Sequence, residues 1–120
     1  MKGVYSVINF LEDPVTDRGR PIGVIIMTSG STIKVKVRRR LPCQQRSEEK
    51  LVLHVARSIE STLKKELEEN GFDVAHERLL CLEHDLKNSI QLGRIKEENI
   101  NEANTFVNHV MRQFDSNNLI

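Results

Sequence analysis

The stretch IGVIIMTSGSTIKVKVRRR, Ile22 to Arg40, holds the pattern on which the fold turns. Ile22 to Met27 is the most apolar run of the chain, of strand length and rich in β-branched residues, and marks the central strand of a sheet. Gly23 inside it signals a bulge or a close backbone approach. Ser29-Gly30-Ser31 supplies a short turn. Beyond it the residues alternate: Ile33, Val35 and Val37 fall on one face, Lys34, Lys36 and Arg38 on the other. That is the pattern of an antiparallel strand with one dry and one wet face. A slip of one residue would exchange the two faces, so the register is a sharp expectation.

Upstream, Val4 to Leu11 is β-branched and aromatic, with too little polar alternation for a strand exposed on one side. A loop, EDPVTDRGRP, separates it from Ile22. Residues 4–11, 22–28 and 32–38 are therefore expected to form one antiparallel sheet.

Downstream the period changes. Ser47 is a good N-cap, with Glu48 and Glu49 in the first turn, where the helix dipole favours acids. Val52, Val55, Ala56, Ile59, Leu63 and Leu67 make an apolar stripe that ends at Asn70-Gly71. Asp73 is placed to cap a second helix carrying Val74, Leu79, Leu80, Leu82 and Leu86, and residues 88–93 read as a short extra strand. A last helix begins near Asn101, with Ile100, Ala103, Val107, Val110 and Phe114 at heptad-like spacing, widened by Phe106 and Met111. The class is α+β: a small antiparallel sheet of three to four strands covered by two to three helices. Val52, Ile59, Leu63 and Phe106 are expected on its dry face.

With 120 residues, 38% of them hydrophobic and 29% charged, the chain has the size and composition of one globular domain. It has no Trp, one Tyr and four Phe, so the core must be aliphatic. Two cysteines, Cys43 and Cys81, are too few for a disulfide framework. The N-terminal segment lacks a signal-peptide pattern, and no apolar run approaches a membrane span. A cytoplasmic protein with reduced thiols, without membrane contact, is expected. The net charge of +1 hides an asymmetry: residues 1–46 carry nine Lys/Arg against three Asp/Glu, residues 47–120 nine against fourteen. A basic β part followed by an acidic helical part favours docking of one half on the other, or two faces with separate partners.

Tyr5-Ser6, Asp13-Pro14, Arg18-Gly19 and Gly23-Val24 together resemble the opening of a small bacterial and prophage family of uncharacterised proteins. Residues 88–93, NSIQLG, are similar to its later strand before the final helix. Pro21-Ile22 departs from the Asn-Ile or Asn-Val usual before Gly23. Some members are encoded beside HipA-like kinases. The resemblance implies an accessory role in a phage, prophage, defence or toxin–antitoxin locus and carries over no catalytic residue.

Lys34, Lys36, Arg38, Arg39, Arg40 and Arg46, with Arg18 and Arg20 from the loop, form a basic strip. Cations at period two lie ~7 Å apart, near the phosphate spacing of a nucleic-acid strand. No aromatic residue interleaves them as a stacking platform, however, and no helix-turn-helix, zinc-finger or RNA-recognition signature is present. A run of this kind is more often a solvated edge strand. His76, Cys81 and His84 have metal-ligand chemistry, but the histidines sit two helical turns apart and four ligands do not assemble. Cys43, flanked by Arg40 and Arg46, has only His54 as a nearby base and no recognisable triad. The expected protein is thus non-enzymatic, without metal or cofactor, and acts by binding a macromolecule. A protein–protein interaction module is preferred; the alternative is sequence-nonspecific nucleic-acid binding through the basic β-hairpin. The stripe of the last helix looks broader than one small sheet needs, which marks Phe106, Val110, Met111 and Phe114 as a partner or self-association surface, possible in a dimer.

Overall fold

A computed structural model describes residues 2–11, 19–38, 46–85 and 90–117. In chain order it contains β1 (Lys2–Leu11), β2 (Gly19–Thr28), β3 (Ile33–Val37), α1 (Arg46–Asn70), α2 (Phe72–Asp85), β4 (Ile90–Leu92), β5 (Lys96–Asn99) and α3 (Ala103–Asn117). The fold is α+β, with one antiparallel sheet ordered β3-β2-β1-β4 and β5 also paired to β1. The strand of Ile22–Met27 is interior, as its composition requires, but it shares the middle of the sheet with β1.

β4 and β5 lie end to end along β1. Leu92 faces Ile8 and Lys96 faces Tyr5, so three residues (Gly93, Arg94, Ile95) oppose two (Ser6, Val7). This one-residue bulge is held by two bonds: the Gly93 amide donates to Val7 O at 2.7 Å, and Ser6 Oγ donates to Gly93 O at 2.7 Å. The buried Ser6 in an otherwise apolar strand thereby serves the carbonyl that the bulge frees. Residues 47–120 thus supply two strands of the sheet, β4 where the short extra strand is expected and β5 besides.

Gly23 fulfils both of its expected roles. The register of β1 on β2 shifts beside it, where Ile8 faces Gly23 but Asn9 faces Pro21. A Cβ at Gly23 would collide with the carbonyl oxygen of Lys36 on β3. In the β2–β3 turn the left-handed residue is Ser31 (φ 64°) rather than the glycine.

Helices cover both faces of the sheet. On one, Val4, Ile8, Phe10, Ile25 and Met27 pack with Val52, Ile59, Leu63 and Leu67 of α1 and Ala75 and Leu79 of α2. On the other, Val24 and Ile26 pack with Ile100, Val107 and Val110, joined by Tyr5, Val7, Phe106 and Met111. Val52, Ile59 and Leu63 lie where expected, and Ile33, Val35 and Val37 join the same layer. Phe106 does not: it stands on the opposite face, edge-on to Tyr5 with ring centroids 5.0 Å apart. The reason is that β2 is apolar on both sides, so its second face needs a helix of its own.

Gly71 joins α1 to α2 at φ 88°, its amide donating to Leu67 O at 3.3 Å and its carbonyl accepting from the Ala75 amide at 3.1 Å. Helix α2 therefore starts at Phe72, two residues earlier than a cap at Asp73 would give, and Asp73 falls in its first turn. Val74 and Leu80, expected in the core stripe, are 42% and 44% exposed; Leu79 is buried as expected, and Ala75 takes the other inward position. Leu86 lies outside the described residues, as do Asn88 and Ser89 of the expected extra strand. No helix among the described residues is long and apolar enough to cross a membrane.

Candidate functional site

The basic strip resolves into residues with different fates. β3 is the outer strand of the sheet, and its cations alternate with aliphatics as read, the pattern running half-buried, exposed, half-buried. Lys34 and Lys36 are exposed, on the face that α3 covers. Lys36 Nζ donates to Asn108 Oδ1 of α3 at 2.8 Å. Arg38 is half-buried instead: its amide donates to Ile22 O at 2.7 Å and its Nη1 reaches Pro21 O at 3.4 Å. It belongs in part to the sheet and is not a third solvent-facing cation. Arg20 is exposed at the start of β2. Arg18, Arg39, Arg40 and Cys43 lie outside the described residues, and Arg46 opens α1 with its side chain undescribed.

The polarity of the β3 edge follows from the Arg38 amide. Even-numbered residues turn their backbone groups toward β2, so Ile33, Val35 and Val37 present theirs outward. The outward amide of Val35 donates to Glu60 Oε2 of α1 at 3.2 Å. Glu60 thus holds one rung of an edge that no second strand pairs among the described residues, a side-chain substitute for a missing strand. Alongside runs a groove of about 290 Å³ lined by Val35, Val37, Leu53, Ala56, Arg57 and Glu60. The edge is accordingly flanked by Lys34 and Lys36 on one side and by Arg57 on the other.

On the α3 side, the exposed residues Asn104, Thr105, Asn108, His109, Arg112 and Gln113 contain no acid. Of these, Asn108 reaches Lys36, and Gln113 Nε2 is 3.3 Å from His109 Nε2. The packing of α3 brings Asn108 to Lys36, a pairing 72 residues apart in sequence. The signal that could have found this is the absence of acids from Ala103 to Gln113.

The residues expected as a partner surface on α3 also serve the core of the chain. Val110 is buried in the second core layer, and Phe106 and Met111 are half-buried against it. Part of the stripe's width answers to the second sheet face, which α3 covers. The side chain of Phe114 lies outside the described residues.

Among the remaining candidates, His54 is exposed on α1, His76 stands tilted on Phe72 at 5.9 Å between ring centroids, and Cys81 is exposed as a free thiol. Among the described residues no three His, Cys, Asp or Glu side chains come together to hold a metal ion.

No protein-family model, curated protein or solved structure matches the chain. The family resemblance therefore rests on its short motifs alone, and function must be argued from the geometry of β3 and its flanks.

Proposed function

We propose that the chain is a non-enzymatic binding domain, a protein–protein interaction module that takes an extended acidic segment of a partner along the open edge of β3. The observation that carries this reading is the outward backbone of Ile33, Val35 and Val37, bordered by cations on both faces. Strand addition to such an edge draws affinity from main-chain hydrogen bonds and selectivity from alternate side chains. Here one set of incoming side chains would meet Lys34 and Lys36, the other the groove of Val35, Val37, Leu53 and Arg57. A segment alternating glutamate with valine fits both. An accessory role in a phage or defence locus, as the motif resemblance implies, is compatible with such a module.

A fluorescent eight-residue Val-Glu alternating peptide tests the reading by anisotropy. It should bind the native chain, bind Lys34→Glu/Lys36→Glu at least about tenfold more weakly, and compete with no duplex DNA at physiological salt. Equal affinity for both proteins would contradict it.

The acid-free face of α3 beside Lys36 favours one second reading, nucleic-acid binding by the same surface. Contact with three or four phosphates would give a log–log salt slope of roughly −3 to −4. Duplex binding with that slope, lost in the same double variant while the peptide stays unbound, would put this reading in place of the first.

A further inference from the structure

The sheet ends in two strands whose outer sides no strand pairs among the described residues, β3 on one flank and β5 on the other. Their charges are opposite. β3 presents Lys34 and Lys36, with Arg57 of α1 at its groove; β5 reads Lys96-Glu97-Glu98-Asn99, with all four residues exposed.

The two edges also agree in backbone phase. In β1 the Lys2 carbonyl accepts from the Ser29 amide on the β2 side, whereas the Val7 carbonyl accepts from the Gly93 amide on the opposite side. Even residues of β1 therefore bond towards β2 and odd ones towards β5. Gly3 and Tyr5 face Glu98 and Lys96, so these two spend their backbone groups on β1, while Glu97 and Asn99 turn theirs outward. On β3 the outward residues are Ile33, Val35 and Val37. The side-chain faces match as well. Glu98 shares the α3 face with Tyr5, as Lys34 and Lys36 do; Glu97 shares the α1 face with Val4, as the groove of Arg57 does. Each strand is antiparallel to its neighbour, so β5 runs opposite to β3. A second copy laid alongside in the same orientation would add its β5 to β3 as one more antiparallel strand.

We propose that the acidic segment taken by β3 is β5 of a second copy of this chain, joined head to tail. The proposal rests on the reading of β3 as a docking edge and names its occupant. With Glu98 of the second copy opposite Lys36, Asn99 falls opposite Val35 and Glu97 opposite Val37, and outward backbone groups meet outward backbone groups. Glu98 then pairs with Lys36 on one face, and Glu97 enters the groove rimmed by Arg57 on the other. The Asn99 carbonyl replaces Glu60 as acceptor for the Val35 amide, and its carboxamide lies on the side of Glu60. The same register sets Lys96 beside Arg38, whose guanidinium is drawn to the Pro21 carbonyl. Two-fold pairings are worse: β3 on β3 sets cation against cation in every register, and β5 on β5 sets Lys96, Glu97 or Glu98 against itself. A head-to-tail junction leaves a β3 edge at one end and a β5 edge at the other, so association does not stop at two copies.

The test is sedimentation of the full chain over a range of concentration and salt. The weight-average mass should rise with concentration past that of a dimer, and less steeply at high salt. Lys34→Glu/Lys36→Glu and Glu97→Lys/Glu98→Lys, all at exposed positions, should keep the native unfolding midpoint and each associate at least about tenfold more weakly. Mixed one to one, the two variants should associate again, because every acidic edge then meets a basic one. The Val-Glu peptide should disperse the native oligomers by capping β3. A native chain monomeric up to about 1 mM, association that stops at the dimer, a mixture that fails to recover, or oligomers indifferent to the peptide would overturn the proposal. Peptide binding to a chain that stays monomeric would leave the docking edge standing and remove only this occupant; absence of both would remove the two together.

Discussion

Single atoms decide several features of this molecule. At Gly23 the space for a side chain is taken by the backbone of β3: a Cβ there would meet the Lys36 carbonyl oxygen and lie 3.2 Å from Val37 Cα. Backbone cannot step aside as a side-chain tip can, so Gly23→Ala should destabilise the protein by about 1–3 kcal/mol, read as a lower urea midpoint with unchanged slope. Glu102 makes a prediction in pH. Its folded pKa is depressed below the ordinary 4.5 by Thr105 and Asn104, so the stability it lends is present above the unfolded value. That contribution is lost as pH falls below 4.5 through the folded pKa. Protection of the first-turn amides of α3 from hydrogen exchange should fall in that window. In Glu102→Gln it should be lower at neutral pH and lack that step. A step of equal size in the variant would assign it to another group.

At the scale of elements, the single residue between α1 and α2 sets how the helices meet. Gly71 has open space around its Cβ position, so only its left-handed backbone resists substitution. Gly71→Ala should cost about 1–2 kcal/mol with no loss of packing. The edge strand yields a converse prediction. Glu60 occupies the Val35 amide that an incoming strand would need. Glu60→Ala should therefore strengthen binding of the Val-Glu peptide several-fold, and unchanged affinity would mean that the edge is not where the peptide docks. These elements differ in how readable they were. The clean alternation of residues 33–38 and the Asn70-Gly71 stop were legible because side-chain periodicity and a glycine turn are local signals. β5, with the sequence Lys-Glu-Glu-Asn and every residue exposed, had none to give. It is a strand only because β1 offers a partner. The same holds for Val74 and Leu80, whose exposure depends on which side of α2 meets α1 and the sheet.

At the scale of the whole molecule, one sheet carries two cores. The expected architecture had a dry face and a wet face, as a basic β half and an acidic helical half suggested. What defeats that picture is β2, with Val24 and Ile26 facing α3 while Ile25 and Met27 face α1 and α2. Helix α3 covers this second face over β2 and β3, which leaves Lys34 and Lys36 exposed beside it, Lys36 bonded to Asn108. The basic strip was thus legible as a set of charges; its neighbours, Glu60 and Arg57 of α1 and Asn108 of α3, were not, since long-range packing alone brings them there. The same packing accounts for the stripe of α3. Val107 and Val110 are buried inside one chain, while Phe106 and Met111 beside them stay partly exposed.

The central claim is that β3 is a docking edge for an extended acidic segment. It is tested most directly by hydrogen exchange of the outward amides of Ile33, Val35 and Val37, measured with and without saturating Val-Glu peptide. Strand addition predicts that the Ile33 and Val37 amides gain protection together, that Val35 keeps its protection as the peptide replaces Glu60, and that Lys34→Glu/Lys36→Glu shows no such gain. Binding of the peptide with no change in the exchange of Ile33 and Val37 would contradict the account.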